Sequence, residues 1–107
     1  MKKIRSFFSI LLLGISLMMV SVLSFSADYQ KGLDAYNHGD FQAALREWRP
    51  LAEQGDANAQ WELGFMYRFG LGVAENHTEA VKWYRKSAEQ GDEWSQNRLK
   101  QMGVDWT

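Results

Sequence analysis

Cysteine is absent from the 107-residue sequence, proline occurs once and histidine occurs twice. Without cysteine the chain can form no disulfide, no thiolate metal site and no thiol nucleophile. The histidines, His38 and His77, have no acidic or nucleophilic neighbour at a spacing that would build a metal site or a catalytic triad. We therefore predict no catalytic residue, no cofactor and no metal ion.

Runs of basic residues are missing from most of the chain. Three of the twelve Lys and Arg residues lie at positions 2, 3 and 5, so residues 27–107 hold nine basic side chains against thirteen acidic ones. The resulting net charge, near −4, gives no electrostatic footprint for nucleic acid or for an anionic membrane surface. We expect neither of these partners for the folded part.

A long apolar run occurs only near the N-terminus. Basic residues at the start, an apolar stretch over 7–23 and small residues after it are typical of a secretory signal peptide. Cleavage between Ser26 and Ala27 would put Ser24 and Ser26 at the two positions that must be small, so residues 1–26 are predicted to be removed on export to a bacterial periplasm or out of the cell. The alternative is a retained membrane anchor, because about 17 apolar residues span about 25 Å as a helix, near the lower limit for a bilayer.

The remaining residues, 27–107, contain an internal repeat. Residues 51–56 (LAEQGD) and 87–92 (SAEQGD) share five of six residues at an offset of 36. A fixed period in this range is typical of arrays of helical hairpins. In both copies a glycine that can adopt a left-handed conformation, Gly55 or Gly91, precedes an aspartate that can cap the next helix. These signals predict tight turns between antiparallel helices.

The spacing of apolar residues predicts five helices and an all-α fold, with helices over about 28–38, 41–52, 57–69, 78–90 and 93–102. Trp48 and Trp83 lie on the predicted core faces. Gly64 stands in the middle of the third helix, where glycine costs about 1 kcal/mol relative to alanine in an exposed position. It therefore indicates that a neighbouring helix approaches closely. Asn76 and Glu79 have the spacing of a capping box at the start of the fourth helix.

Residues 59–91 carry a longer pattern of small, aromatic and glycine positions. The pattern consists of Ala59, Leu63, Gly64, Tyr67, Gly70, Gly72, Val73, Asn76, Ala80, Trp83, Tyr84, Ala88, Glu89, Gln90 and Gly91. It resembles the Sel-one-like repeat, a branch of the tetratricopeptide-like helical repeats. The resemblance implies an α-solenoid of antiparallel hairpins with about two and a half repeats, over 28–55, 56–91 and a half-repeat 92–103. Lys100 stands where Gly64 stands one repeat earlier, which fits a terminal capping helix.

Members of this family serve mostly as scaffolds, so the resemblance implies a non-enzymatic protein-interaction module. The third helix has a second apolar face, formed by Trp61, Phe65 and Phe69 at four-residue spacing and rotated by about 160° from the core residues Leu63 and Tyr67. These rings could pack on the preceding repeat, which we expect for Phe65. Alternatively, they could line a concave groove made by the first helices of successive repeats.

We predict that this groove binds a peptide or helix of a partner protein. Trp94 and Trp106 have no evident place in the core, and contiguous exposed aromatic side chains mark interaction surfaces. The predicted partner-binding residues are Tyr29, Trp61, Phe65, Arg68, Phe69 and Trp94.

Two other functions stay open at this point. A short array leaves its stacking ends uncovered, and a twofold homodimer would cover one of them. An enzyme acting on cell-wall glycan would need two carboxylates about 5 to 10 Å apart in a cleft, for which Glu62 and Glu93 are the pair to test.

Overall fold

The computed structural model describes residues 27–107, and this part of the chain folds into five α-helices. They are α1 (Tyr29–Asn37), α2 (Phe41–Glu53), α3 (Ala57–Phe69), α4 (His77–Glu89) and α5 (Glu93–Gln101). The predicted all-α array of antiparallel hairpins is confirmed, and α2 runs through Pro50 as a single helix. None of these helices combines the length and the apolar character needed to cross a bilayer. The predicted signal peptide, 1–26, lies outside the described residues.

Each helix begins at an Asp or Asn whose side chain accepts a hydrogen bond from a backbone N–H of the first turn. The capping residues are Asp28, Asp40, Asp56, Asn76 and Asp92. Such a cap satisfies one of the four N–H groups that a helix leaves unpaired at its start. The helix starts are therefore fixed by local sequence.

The predicted capping box at α4 forms only in its first half. Asn76 Oδ1 accepts from the N–H of Glu79 at 3.0 Å, as expected. The N–H of Asn76 donates to the carbonyl of Tyr67 at 2.8 Å, and the Glu79 carboxylate pairs instead with Lys82 at 3.2 Å. The reciprocal bond is absent because the turn after α3 supplies the acceptor.

The turns at the two AEQGD segments have the predicted left-handed glycines, with φ of +104° at Gly55 and +99° at Gly91. In the first turn the N–H of Asp56 bonds to the carbonyl of Leu51 at 3.0 Å. The second turn has the same bond between the equivalent residues at 3.3 Å. These bonds close Schellman motifs, which reverse the chain and set the helices antiparallel.

The helices form two layers, with α1, α3 and α5 side by side in one layer. Tyr29 of α1 donates to Glu62 of α3 at 2.8 Å, and the Arg98 guanidinium of α5 lies 5.7 Å from the ring centre of Trp61 on α3. The other layer contains α2 and α4, whose Leu45 and Trp83 share one hydrophobic cluster. First and second helices of the repeats are thus segregated, as in a helical-hairpin solenoid.

In each complete repeat an aromatic ring of the second helix packs on a glycine of the first. Trp48 covers Gly32, and Tyr84 covers Gly64; both rings are fully buried. A Cβ on Gly64 would lie 2.6 Å from Cδ1 of Tyr84. The predicted close approach at Gly64 is confirmed. Trp83 is also buried, at 4% exposure, so both tryptophans predicted for the core lie there.

Two expectations about aromatic residues are wrong. Phe65 packs, together with Trp61, on the cluster that contains Tyr84 of α4 and Leu99 of α5, and not on the preceding repeat. Trp106, for which the sequence offers no core position, packs against this same cluster. The reason is that Gly64 lets α4 approach this side of α3, which gives the rings an apolar neighbour within their own repeat.

Candidate functional site

The aromatic residues of α3 form a continuous row along one side of that helix. The ring centres of Trp61 and Phe65 are 6.1 Å apart, and those of Phe65 and Phe69 are 4.7 Å apart. The Arg68 guanidinium lies 5.4 Å from the centre of the Phe69 ring, within the range of a cation–π contact. The four-residue spacing produces this row because side chains at i and i+4 lie on the same face of a helix.

Exposure differs among the residues of this row and the nearby Trp94 of α5. Trp61 and Phe65 are half-buried, whereas Phe69 is 49% exposed and Trp94, at the start of α5, is 70% exposed. Trp61 and Trp94 line one groove of about 370 Å³ between α3 and α5, together with Arg98. The structure therefore brings these two predicted residues together. We call Trp61, Phe65, Phe69 and Trp94 the aromatic face.

Tyr29 makes its main contacts with other helices of the array and is only partly exposed. Its ring packs on Trp48 at 5.7 Å between centres, and its hydroxyl donates to the Glu62 carboxylate at 2.8 Å. Burial raises the pKa of Tyr29 far above its usual value, and the neighbouring Glu62 raises it further. Burial also raises the pKa of Glu62, although the hydrogen bond from Tyr29 opposes this effect. The pair links α1 to α3 beside the aromatic face.

Arg68 is only partly associated with the aromatic face. It also lines a larger groove, of about 890 Å³, that runs along α4. Its Nη1 atom is shielded from solvent and has no hydrogen-bond partner among residues 27–107. The same groove is lined by Lys82, Arg85 and Lys86, none of which was predicted as a site residue. Their spacing in the sequence places them close together on α4, but such a cluster of cations is also typical of an ordinary solvated helix surface.

The carboxylates and histidines show no arrangement that indicates catalysis. Glu62 is engaged by Tyr29, and Glu93 is an exposed residue in the first turn of α5. Both histidines are exposed near helix ends, His38 beside the Asp34 carbonyl at 2.7 Å and His77 beside Glu75 at 3.1 Å. Within the described part of the chain, no three His, Cys, Asp or Glu residues are placed to hold a metal ion.

Comparison with known families gives one match, to the Sel1 repeat over residues 57–92. This segment corresponds to α3, the glycine-containing turn and α4, ending at the cap of α5. It is the segment that carries the aromatic row and the packing of Tyr84 on Gly64. No solved structure matches the chain.

Several curated proteins are similar to part of the chain. An exopolysaccharide production negative regulator of Rhizobium meliloti is 42% identical over 65 residues, which cover 61% of this chain and 24% of the relative. The DAP3-binding cell death enhancer 1 of Rattus norvegicus is 43% identical over 65 residues, or 61% of this chain and 13% of the relative. An ERAD-associated E3 ubiquitin-protein ligase component, HRD3A of Arabidopsis thaliana, is 39% identical over 49 residues, which cover 45% of this chain and 7% of the relative. The matched part of the chain thus spans at most about a quarter of the length of these relatives.

Proposed function

This chain is a member of the Sel1 repeat family, and from that premise we propose that it is a non-enzymatic module that binds a peptide or helix of a partner protein through the aromatic face. Sel1 repeats generally mediate protein–protein interaction. The observation that carries the proposal for this chain is the exposure of two large aromatic side chains, Phe69 and Trp94, at the ends of that face. Partner-binding residues are enriched in such side chains.

The names of the relatives support action through other proteins. They describe a negative regulator, a DAP3-binding protein and a component of a ligase. The geometry supports the same proposal, because Glu62, one of the two carboxylates considered for glycan cleavage, is hydrogen-bonded to Tyr29. The groove between α3 and α5 is lined by aromatic, amide and cationic side chains and, among the described residues, by no carboxylate. We therefore prefer a binding module to a glycan-acting enzyme.

We place this function outside the cytoplasm, in a bacterial periplasm or in the secreted fraction. The support is the composition of residues 1–26, with basic residues, an apolar stretch and small residues in the order typical of a signal peptide. Mass spectrometry of the exported protein should find a chain that begins at Ala27. Intact Met1 in the membrane fraction would contradict cleavage and support an anchored module.

The test of the aromatic face is a comparison of two double variants. Replacing Phe69 and Trp94 together by Ala should abolish capture of the partner that the wild-type protein retains, because each truncated anchor removes a contact worth about 2 kcal/mol. The two side chains are exposed, so the melting temperature should stay near that of the wild type. The control replaces Arg46 and Glu53, two exposed residues of α2, by Ala and should retain the partner.

Self-association is the second candidate, and it gives a different result in the same experiment. A homodimer would be visible by light scattering without any added protein, and the Phe69/Trp94 variant would be monomeric. A wild-type monomer whose partner binds both double variants equally well would show that the aromatic face is not the binding site.

A further inference from the structure

The large groove along α4 has a covered counterpart one repeat earlier in the same molecule. The covered site lies on α2 and α3, where Trp83 of α4 is buried in a cluster with Leu45 and Met66. The equivalent positions in the next repeat, 36 residues further along the chain, are Val81 and Met102. Both Val81 and Met102 line the open groove. The groove therefore corresponds to the site at which α4 packs on the preceding repeat.

No helix of the described chain occupies this site. The segment after α5 is not helical in the described part, and its Val104 joins Val81 and Met102 in the apolar part of the groove. The groove measures about 890 Å³ and is open along α4. Its apolar floor is formed by the residues equivalent to those that cluster with Trp83 of α4 at the covered site on α2 and α3.

The rim of the groove is strongly basic. Four cationic side chains and one carboxylate, Glu89, line it, and Lys82 also pairs with Glu79 at 3.2 Å; the four cations are Arg68, Lys82, Arg85 and Lys86. This excess of positive charge occurs in a domain that is acidic overall, so it is a local feature. Charges of one sign around an apolar floor favour an occupant of the opposite sign.

Contacts within the fold engage several of these cations. The ammonium groups of Lys82 and Lys86 lie 5.0 and 4.9 Å from the ring centre of Trp83. Arg85 donates to the carbonyl of Asp105 at 3.4 Å, which links α4 to the C-terminal segment. Arg68 keeps one shielded nitrogen, Nη1, without an acceptor in the described chain.

We propose that this groove binds an acidic amphipathic helix of a partner protein, which packs on α4 and α5 as α4 packs on α2 and α3. A large aromatic side chain of that helix would lie on Val81 and Met102, and its acidic residues would face the cationic rim. The site lies along α4, whereas the proposed peptide-binding function uses the aromatic face of α3 and α5. The two proposals are therefore tested by different variants.

The probe is a synthetic peptide with the sequence of α4 as its template. It copies residues 76–90, changes the residues equivalent to Lys82 and Lys86 to Glu, and carries a hydrocarbon staple at the positions equivalent to Val81 and Arg85. The staple is needed because a free helix of this length is only marginally stable in water. The positions are suitable because each lies about 160° from the tryptophan around the helix. The matched control peptide has Ala in place of that tryptophan.

Fluorescence anisotropy should show saturable binding of the acidic peptide, weakened at least tenfold in the control peptide and weakened by added salt. Arg85→Glu in the protein should reduce affinity at least tenfold, while Arg46→Glu, the same charge reversal at an exposed residue of α2, should change it less than twofold. The Phe69/Trp94 double variant should bind the peptide as the wild type does.

Three results would overturn the proposal. The first is no saturable binding up to millimolar peptide. The second is an equal loss of affinity in Arg85→Glu and Arg46→Glu, because the loss would then follow from the net charge of the protein and not from a contact in the groove. The third is a wild-type dimer in light scattering that Arg85→Glu dissociates, because the occupant would then be a second copy of this chain. Circular dichroism of Arg85→Glu controls for unfolding, and Lys86→Glu provides a second exposed reversal in the same groove.

Discussion

The two complete repeats pack their hairpins in the same way, but the polar group of the buried aromatic ring is hydrogen-bonded in only one of them. Trp48 in the first repeat lies on Gly32, and its indole N–H donates to the carbonyl of Tyr29 at 3.1 Å. Tyr84 in the second lies on Gly64, but its hydroxyl is buried without a partner among the described residues. What the repeats share is therefore the contact between ring and glycine. The hydrogen bond of the ring is a property of one repeat only.

Burial of the Tyr84 hydroxyl also affects its ionisation. Burial raises the pKa of Tyr84 to about 12, although Arg98 and Arg68 oppose this shift by favouring the phenolate. The group therefore stays neutral at physiological pH. A buried neutral hydroxyl without a partner reduces stability, because its hydrogen bonds to water in the unfolded chain are not replaced.

The largest expected effect comes from removing the ring of the first repeat. Trp48→Ala should lower the free energy of unfolding by about 3 to 5 kcal/mol, because it opens a cavity in the core and leaves the Tyr29 carbonyl without this donor. Urea denaturation followed by circular dichroism measures the change. Trp94→Ala is the matched control: the same substitution at a 70% exposed site should change stability by less than about 0.5 kcal/mol. Equal losses in both variants would show that burial does not distinguish the two sites.

The glycine side of the contact can be tested in the second repeat. Gly64→Ala should destabilise by about 1 to 3 kcal/mol, because the added Cβ would overlap the Tyr84 ring. At an exposed helix site the same change would stabilise by about 1 kcal/mol. A thermodynamic cycle with Tyr84→Leu checks the cause, since removing the ring should recover much of the loss. Strict additivity of the two changes would contradict a direct contact.

The turns should respond alike in both repeats. Gly55→Val and Gly91→Val should each destabilise by about 1 kcal/mol or more, because a β-branched residue adopts positive φ only with strain. A Cβ at either position would meet no atom within 4 Å, so the cost is conformational and not steric. Gly55→Asn is the control and should be milder, as Asn tolerates the left-handed region. Unchanged melting temperatures for both valine variants would be the contrary result.

The smallest effect should come from the unpaired hydroxyl. Tyr84→Phe should leave stability unchanged or raise it by up to about 1 kcal/mol, because it removes a buried polar group that has no partner. Tyr29→Phe makes the same chemical change where the hydroxyl donates to Glu62, and it should cost about 1 kcal/mol. Thermal unfolding of the two variants side by side measures the difference. A clear loss in Tyr84→Phe would mean that the hydroxyl has an acceptor after all.

The aromatic face shows how far sequence patterns lead. The four-residue spacing of Trp61, Phe65 and Phe69 correctly predicted a row on one side of α3. It did not predict which neighbour Trp61 and Phe65 pack on, because that neighbour, Tyr84, lies 19 or more residues further along the chain. Trp106 gave no periodic signal either, since it lies in a non-helical segment. The basic groove was missed because cations on a helix surface ordinarily face only solvent.

Local signals in the sequence determined the helix starts, the glycine turns and the all-α class, because caps and Schellman motifs join atoms only a few residues apart. The period of 36 residues determined that hairpins would stack. Only the tertiary structure decided how buried each aromatic ring is, which polar groups are paired and which repeat-equivalent face stays open. These properties depend on helices that meet in space from distant parts of the chain, and the burial of Trp83 on α2 beside the open groove on α4 illustrates that dependence.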